Sequence, residues 1–172
     1  MSRMGKISQL DLIATRSDNR AEQVAALCWR QRRGRVQVLM ITSRETGRWV
    51  IPKGWQMPGL SGAQAAMREA WEEAGVEGRA QDRVLGIYAY DKIVLPAPPL
   101  HCAVSVYSLP VDALRRRFPE RRQRRRKWFD AGAAALLVAE AGLRLILQHI
   151  GENPGLLAGS VPVSPDAGQT TP

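Results

Sequence analysis

Cysteine is nearly absent from this chain of 172 residues: only Cys28 and Cys102 occur, each inside an apolar stretch. Two isolated thiols exclude a disulfide scaffold and a cysteine-rich zinc site. They fit a reducing cytosol and read as small core filler. Histidine is as scarce, and neither His101 nor His149 has a partner at metal or triad spacing, so no function is assigned to either. Long apolar runs are also missing. The longest, 131–139, falls well short of the ~18 residues a membrane span needs, and no membrane partner is expected. Asp11, Arg16, Asp18 and Arg20 interrupt any signal-peptide core, which points to a cytoplasmic protein. What is present is a hydrophobic content of 45%, ordinary for a globular protein. The length suits one domain that buries ~70% of its unfolded surface without a disulfide or structural metal.

The net charge of +9 is localised. Nine of the 25 basic residues lie between Arg115 and Lys127 against a single acid, Glu120, so this segment carries +8 and the remainder +1. A near-neutral domain with one basic segment suggests an anionic partner, either phosphates or a nucleic-acid backbone; the alternative is a solvated surface loop.

Residues 1–20 have no sustained period and read as a flexible arm. Gln23 to Trp29 and Val36 to Thr42 are apolar runs rich in strand formers, joined by a polar hairpin turn over Arg30 to Gly34. Arg48 to Ile51 reads as a short strand closed by Pro52, and Gly54, Pro58, Gly59 and Gly62 mark a loop. Ser61 and Gln64 fit a capping box that opens a helix. Ala63, Ala66, Met67, Ala70 and Ala74 give it a small apolar face, and Gly75 ends it. Val84 to Tyr90 and His101 to Leu109 read as strands around a proline-rich tip. Asp130 is placed to cap a helix through Ala139, and Ala141 to Ile150 forms a second amphipathic helix. The composition then shifts, giving a domain over 21–151 and a disordered tail over 152–172. The order of elements predicts an α/β (α+β) fold, a mixed sheet sandwiched between helices, rather than alternating βαβ units.

The helix carries the chemistry. Glu69, Glu72 and Glu73 stand at i, i+3 and i+4, with Cβ atoms ~5–6 Å apart on one face. Three crowded anions repel one another. A hard divalent cation, Mg²⁺ or Mn²⁺, offsets that repulsion directly, and Arg68 is placed to reach Glu72 at i+4 and fix its rotamer. A solvated acidic stripe is the plain alternative.

Gly54, Arg68, Glu69, Ala70, Glu72, Glu73, Gly75 and Val76 together resemble the Nudix hydrolase signature, G-x5-E-x7-R-E-U-x-E-E-x-G-U with U a bulky aliphatic. Leu60 stands where the signature has its early Glu, and Ala70 takes the first U. Thr42-Ser43-Arg44 through Arg48 to Gly54, and Arg126-Lys127-Trp128-Phe129, resemble, more loosely, the branch that hydrolyses diphosphoinositol polyphosphates and diadenosine polyphosphates. The branch's basic residues near the first strand have no clear equivalent at Glu22 to Val24.

The resemblance implies a Nudix fold and a metal-dependent pyrophosphohydrolase acting on a small polyphosphorylated metabolite. It implies Glu69 and Glu73 as metal ligands, Glu72 as ligand or water-activating base, Arg68 as orienter and the Gly54 carbonyl as a further ligand. Glu120 is a candidate distal acid, with charge balance as its plainer role. Arg44, Arg48, Lys53, Arg125 and Arg126 are candidate phosphate-binding residues. Trp55 is placed either to stack on a base or to seal its loop, whereas Trp49, Trp71, Trp128 and Phe129 read as core. Two other functions stay open: an RNA 5′-end pyrophosphohydrolase using the Arg115–Lys127 segment, and a non-catalytic phosphate-ligand or RNA-binding module.

Overall fold

Strand β1 (Ala21–Arg32) alternates Val24, Ala26 and Cys28 with Ala25 and Leu27, and both sets are fully buried. A strand apolar on both sides belongs in the middle of a sheet covered on both faces, and β1 lies there. The computed structural model describes residues 20–158. The expected arm over 1–20 therefore lies outside the described residues except for Arg20, as does the tail beyond 158.

A polar turn at Arg33-Gly34 folds β1 back onto β2 (Arg35–Thr42), and β7 (Leu100–Leu114) runs parallel to β1 from Ala21↔Cys102 to Trp29↔Pro110. The other pairings are antiparallel: β3 (Trp49–Val50) and β8 (Arg126–Asp130) on β2, β4 (Lys53–Trp55) on β1, β5 (Val76–Gly78) and β6 (Val84–Lys92) on β7. The sheet is thus mixed, as expected.

Helix α1 (Gly62–Ala74) covers one face. Its alanines 63, 66, 70 and 74 pack on Val24, Ala26, Leu39 and Ile41. Helices α2 (Ala131–Leu137) and α3 (Ala141–Glu152) cover the other, where Leu143, Leu147 and Ile150 meet Leu27, Met40 and Val104. No helix among the described residues is long and apolar enough to cross a membrane.

Both ends of α1 follow the local sequence. The Ser61 hydroxyl accepts from Gln64 N at 3.1 Å, and the Gln64 side chain accepts from Ser61 N at 2.9 Å, completing the capping box. Gly75 closes the helix at φ 65 with its N–H on the Ala70 and Trp71 carbonyls.

Several expectations are corrected. Asp130 makes no capping hydrogen bond; its carboxylate accepts from Arg35 and Gln37 instead, and α2 stops at Leu137 because Val138 is extended. The strand expected over 48–51 is confined to Trp49–Val50, and Gly54 lies in β4 rather than in a loop, drawn into the sheet by pairing with Val24. The end of the basic segment is strand β8, paired with Met40 and Ile41. The chain also stays folded past 152: Pro154–Ala158 is a 3₁₀ turn whose Leu157 is fully buried and accepts from the Ser108 hydroxyl at 2.8 Å. Trp49, Trp128 and Phe129 are half-buried and pack against the core; Trp71 is half-buried.

Candidate active site: buried glutamates around Arg124

Helical spacing does not treat the three glutamates of α1 alike. Glu69 and Glu73, one turn apart, turn under the edge of the sheet and are 9% and 8% exposed, whereas Glu72 stays half-exposed. Gly54 shows how closely the backbone approaches them. A Cβ at that position would overlap the Glu69 carboxylate, so only glycine lets β4 lie against it. One residue earlier, Lys53 N donates to Glu73 Oε2 at 3.3 Å.

The second wall comes from the loop after β7. Glu120 N donates to the Glu72 carbonyl at 2.9 Å, which pins the loop to α1. Arg124 then reaches inward: Nη2 donates to Glu73 Oε1 at 3.0 Å, Nε to Glu120 Oε2 at 3.3 Å and Nη1 to the Thr42 carbonyl at 3.1 Å. Its side chain is 8% exposed and that of Glu73 10%, so this is a buried ion pair whose fork is filled on three sides. Arg44 Nη1 closes the outer side on Glu120 Oε1 at 3.2 Å.

Burial sets the charge state. It pushes the Glu73 carboxyl up to about 7, against the opposing pull of Arg124. Burial also raises Glu69, and the neighbouring Glu72 and Glu120 carboxylates add to the rise. The Lys53 ammonium, close over the Tyr90 ring at 5.1 Å, is pulled down by burial.

The structure gathers Gly54, Glu69, Glu73 and Glu120, the last being the acid singled out within the arginine run. Other expected residues point elsewhere. Arg68 does not reach Glu72: its Nη1 lies 3.9 Å from Met57 Sδ. Arg48 pairs with Glu140 at 3.4 Å across the sheet. Arg125 leans toward the Trp49 ring, and Arg126 caps the end of α1 on the Ala74 carbonyl beside Phe118. Trp55 is 43% exposed, with Lys92 over its ring at 5.0 Å.

Two participants, Arg124 and Thr42, were given no site role from the sequence. Thr42 also accepts from Arg125 N at 2.9 Å and so anchors the loop. For Arg124, the available signal was its i+4 spacing from Glu120. Among the described residues no three histidine, cysteine or acidic side chains form a ready cation cage, because the Arg124 guanidinium takes up Glu73 and Glu120. The donor chemistry nevertheless fits a hard cation. Every candidate ligand is an oxygen, and the missing Cβ at Gly54 leaves its backbone against Glu69.

Comparisons with known proteins bear on the fold and the family. Diphosphoinositol polyphosphate phosphohydrolase 3-alpha of Homo sapiens is 34% identical over 110 residues, 63% of this chain and 63% of that protein. The human phosphohydrolase 2 is 37% identical over 67 residues, 39% of this chain and 37% of that protein. The chain thus spans under two thirds of the length of these relatives. Among solved structures, an Ap4A hydrolase binary complex from C. elegans superposes with a TM-score of 0.59 at 20% identity, covering 81% of this chain and 99% of that one. The E. coli dihydroneopterin triphosphate pyrophosphohydrolase gives 0.57 at 22%, covering 77% and 95%. These two likenesses show the fold. The NUDIX domain family matches residues 20–150, and the chain belongs to that family.

Proposed function

We propose that the protein is a pyrophosphohydrolase that cleaves a diphosphate linkage in a small polyphosphorylated substrate by attack of water. The observation that carries this reading is the convergence of Glu69, Glu73 and Glu120 at one end of α1, under a glycine backbone and beside a buried arginine. The similarity to diphosphoinositol polyphosphate phosphohydrolases and the fold shared with Ap4A hydrolase support a diphosphoinositol polyphosphate or diadenosine polyphosphate as substrate.

Glu69 and Glu73, with the Gly54 carbonyl and Glu120, would hold Mg²⁺ or Mn²⁺. Such an ion neutralises charge on the phosphate oxygens and acidifies a bound water. The chain's own residues do the positioning. Gly54 and Lys53 N fix the two buried carboxylates, and Glu72, half-exposed one turn away, is free to take a proton from the attacking water. Arg44 stands at the outer rim with its side chain 58% exposed, within reach of a substrate phosphate.

The alternative RNA 5′-end reading relied on the Arg115–Lys127 charge as one patch. Three of its members, Arg115, Arg124 and Arg126, are engaged within the fold. The non-catalytic reading would suit eroded carboxylates, and here the three helix glutamates, Glu69, Glu72 and Glu73, are all present.

The test is phosphate release from diadenosine polyphosphates, inositol pyrophosphates, nucleotide sugars and 5′-triphosphate RNA, with Mg²⁺ or Mn²⁺. Glu73→Gln should lower kcat/KM for the preferred substrate on the order of 10²-fold or more. Equal rates in wild type and variant would overturn the catalytic assignment.

A further inference from the structure

The β1–β2 hairpin contains four arginines in six residues, Arg30, Arg32, Arg33 and Arg35, and the carboxylate site uses none of them. A cavity of about 560 Å³ opens beside the turn, lined by Arg32, Arg33, Arg35, Gln37 and Asp130. The register sets Arg32 directly opposite Arg35, so two cations face each other across the ladder, an arrangement that destabilises a strand pair. Arg33 has φ 52 and Gly34 φ 73. A two-residue turn of this kind favours Asn or Gly at its first position, and arginine there is strained. Like-charge pairing and left-handed strain thus coincide at the mouth of one cavity, and neither helps the hairpin to form.

The side chains around this cavity are of two kinds. Arg35 Nη1 is held by Asp130 Oδ2 at 3.1 Å, and the other oxygen of Asp130 accepts from Gln37 Nε2 at 3.3 Å. Gln37 Oε1 accepts from Arg30 Nε at 2.9 Å, and the Arg30 guanidinium lies 4.2 Å over the Trp128 ring. Arg30 and Arg35 are therefore fixed in direction. The Arg32 and Arg33 side chains are exposed and make no hydrogen bond or ion pair among the described residues.

We propose that this hairpin is a phosphate-binding site separate from the carboxylate cluster, with Arg32 and Arg33 supplying two free guanidinium forks and Arg35, oriented by Asp130, a third. Planar guanidinium forks match phosphate oxygens two at a time. The phosphates could come from a free polyphosphate or from a single strand of nucleic acid, and position favours the strand. Ala25 pairs with Lys53 beside the carboxylates, and Arg32 lies seven residues further along β1, roughly 23 Å away. A small substrate seated in the cleft does not bridge that distance. Between the two ends, Arg126, Trp128 under Arg30, and Asp130 with Arg35 follow one another on one face of β8 at intervals of about 7 Å. Arg30 and Arg35 thus extend the hairpin's charge along that face.

The test uses the full chain in EDTA, so that binding is read without a metal or turnover. Fluorescence anisotropy would follow a short fluorescein-labelled oligouridine, with inorganic tripolyphosphate as second probe. The double variant Arg32→Glu/Arg33→Glu should weaken oligouridine binding by about tenfold or more and lower the slope of log Kd against log salt by about one or more. Arg33→Gly separates binding from folding: it relaxes the turn, so its Tm should rise while its affinity falls severalfold. Glu73→Gln should bind like wild type, so failure of the hydrolase reading leaves this site untouched. Tripolyphosphate binding that the double variant abolishes, without oligouridine binding, would support the site with free polyphosphate as its ligand. Neither probe binding, or affinities unchanged in both hairpin variants, would overturn the proposal.

Discussion

Arginines crowd two stretches of this chain, the hairpin over 30–35 and the segment over 115–126, and the fold uses them in opposite ways. In the second stretch Arg124 is swallowed, its guanidinium shared between Glu73, Glu120 and the Thr42 carbonyl. In the hairpin, Arg32 and Arg33 remain in solvent, and Arg35 meets Asp130 at the surface. Identical side chains therefore carry different energetic weight, and the partner and its burial decide which. Within the 115–126 run, the residue whose backbone is fixed against an acidic wall is the one that joins the carboxylate site. Here Glu120 N on the Glu72 carbonyl and Arg125 N on the Thr42 hydroxyl fix that backbone.

The sharpest way to break this contrast is to remove one arginine from each stretch. Arg124→Gln leaves Glu73 and Glu120 without their shared cation, one of them deeply buried, and should destabilise the fold by about 3–5 kcal/mol. Arg32→Ala should stay within about 0.5 kcal/mol of wild type. Urea unfolding of both variants in EDTA measures the difference, and comparable losses would mean that burial is not what separates the two stretches.

A second prediction concerns protons. The Glu73 carboxyl moves from an ordinary value of 4.5 to about 7 in the folded chain. Between those values the folded state keeps a proton that the unfolded state releases. Stability present at low pH is therefore lost as pH rises from about 4.5 to about 7, on the order of 3 kcal/mol in the absence of metal. Glu73→Gln should flatten the curve in this window. Removing the hairpin arginines should leave it unchanged. Arg124→Gln should extend the loss to higher pH, since its charge is what holds the shift back.

Gly75 tests how the inward-turned loop is seated. Its φ of 65 suits glycine, and a Cβ there would press on Phe118 and on the Arg126 guanidinium. Gly75→Ala should cost about 1–2 kcal/mol from the backbone conformation alone, with more from the displaced Phe118. Hydrogen exchange should show faster opening over 118–126 and no change over 30–35; uniform acceleration would mean that the loop is not seated on Gly75.

The sequence revealed some of this and hid the rest for physical reasons. The ends of α1 were readable because Ser61, Gln64 and Gly75 act within one turn of themselves. Gly54 and the glutamate spacing were equally local. β8 was not readable, since Arg126 and Lys127 carry no apolar alternation and become a strand only through pairing with Met40 and Ile41. Arg124 was hidden among identical neighbours, and the contacts that select it lie 51 and 82 residues away at Glu73 and Thr42. The tally of charge misled as well: a remainder of +1 conceals the hairpin, whose four arginines are balanced by acids elsewhere in the chain. The Arg68 pairing failed because spacing gives reach, not direction, and the side chain extends to Met57 instead.

The smallest expected effect tests whether segment or burial governs. Arg115 lies in the same stretch as Arg124 but pairs with Glu77 at the surface, at 2.9 Å with side chains 57% and 45% exposed. Its counterpart in the hairpin, Arg35 with Asp130 at 3.1 Å, is 76% and 39% exposed. Ion pairs this open gain little, because water screens them and holding two long side chains together costs entropy. Arg115→Ala and Arg35→Ala should both leave the thermal midpoint within the scatter of wild type, each insensitive to added salt. A loss at Arg115 approaching that at Arg124 would show the loop acting as one cooperative unit. The comparison would then lie between segments rather than between buried and exposed guanidinium groups.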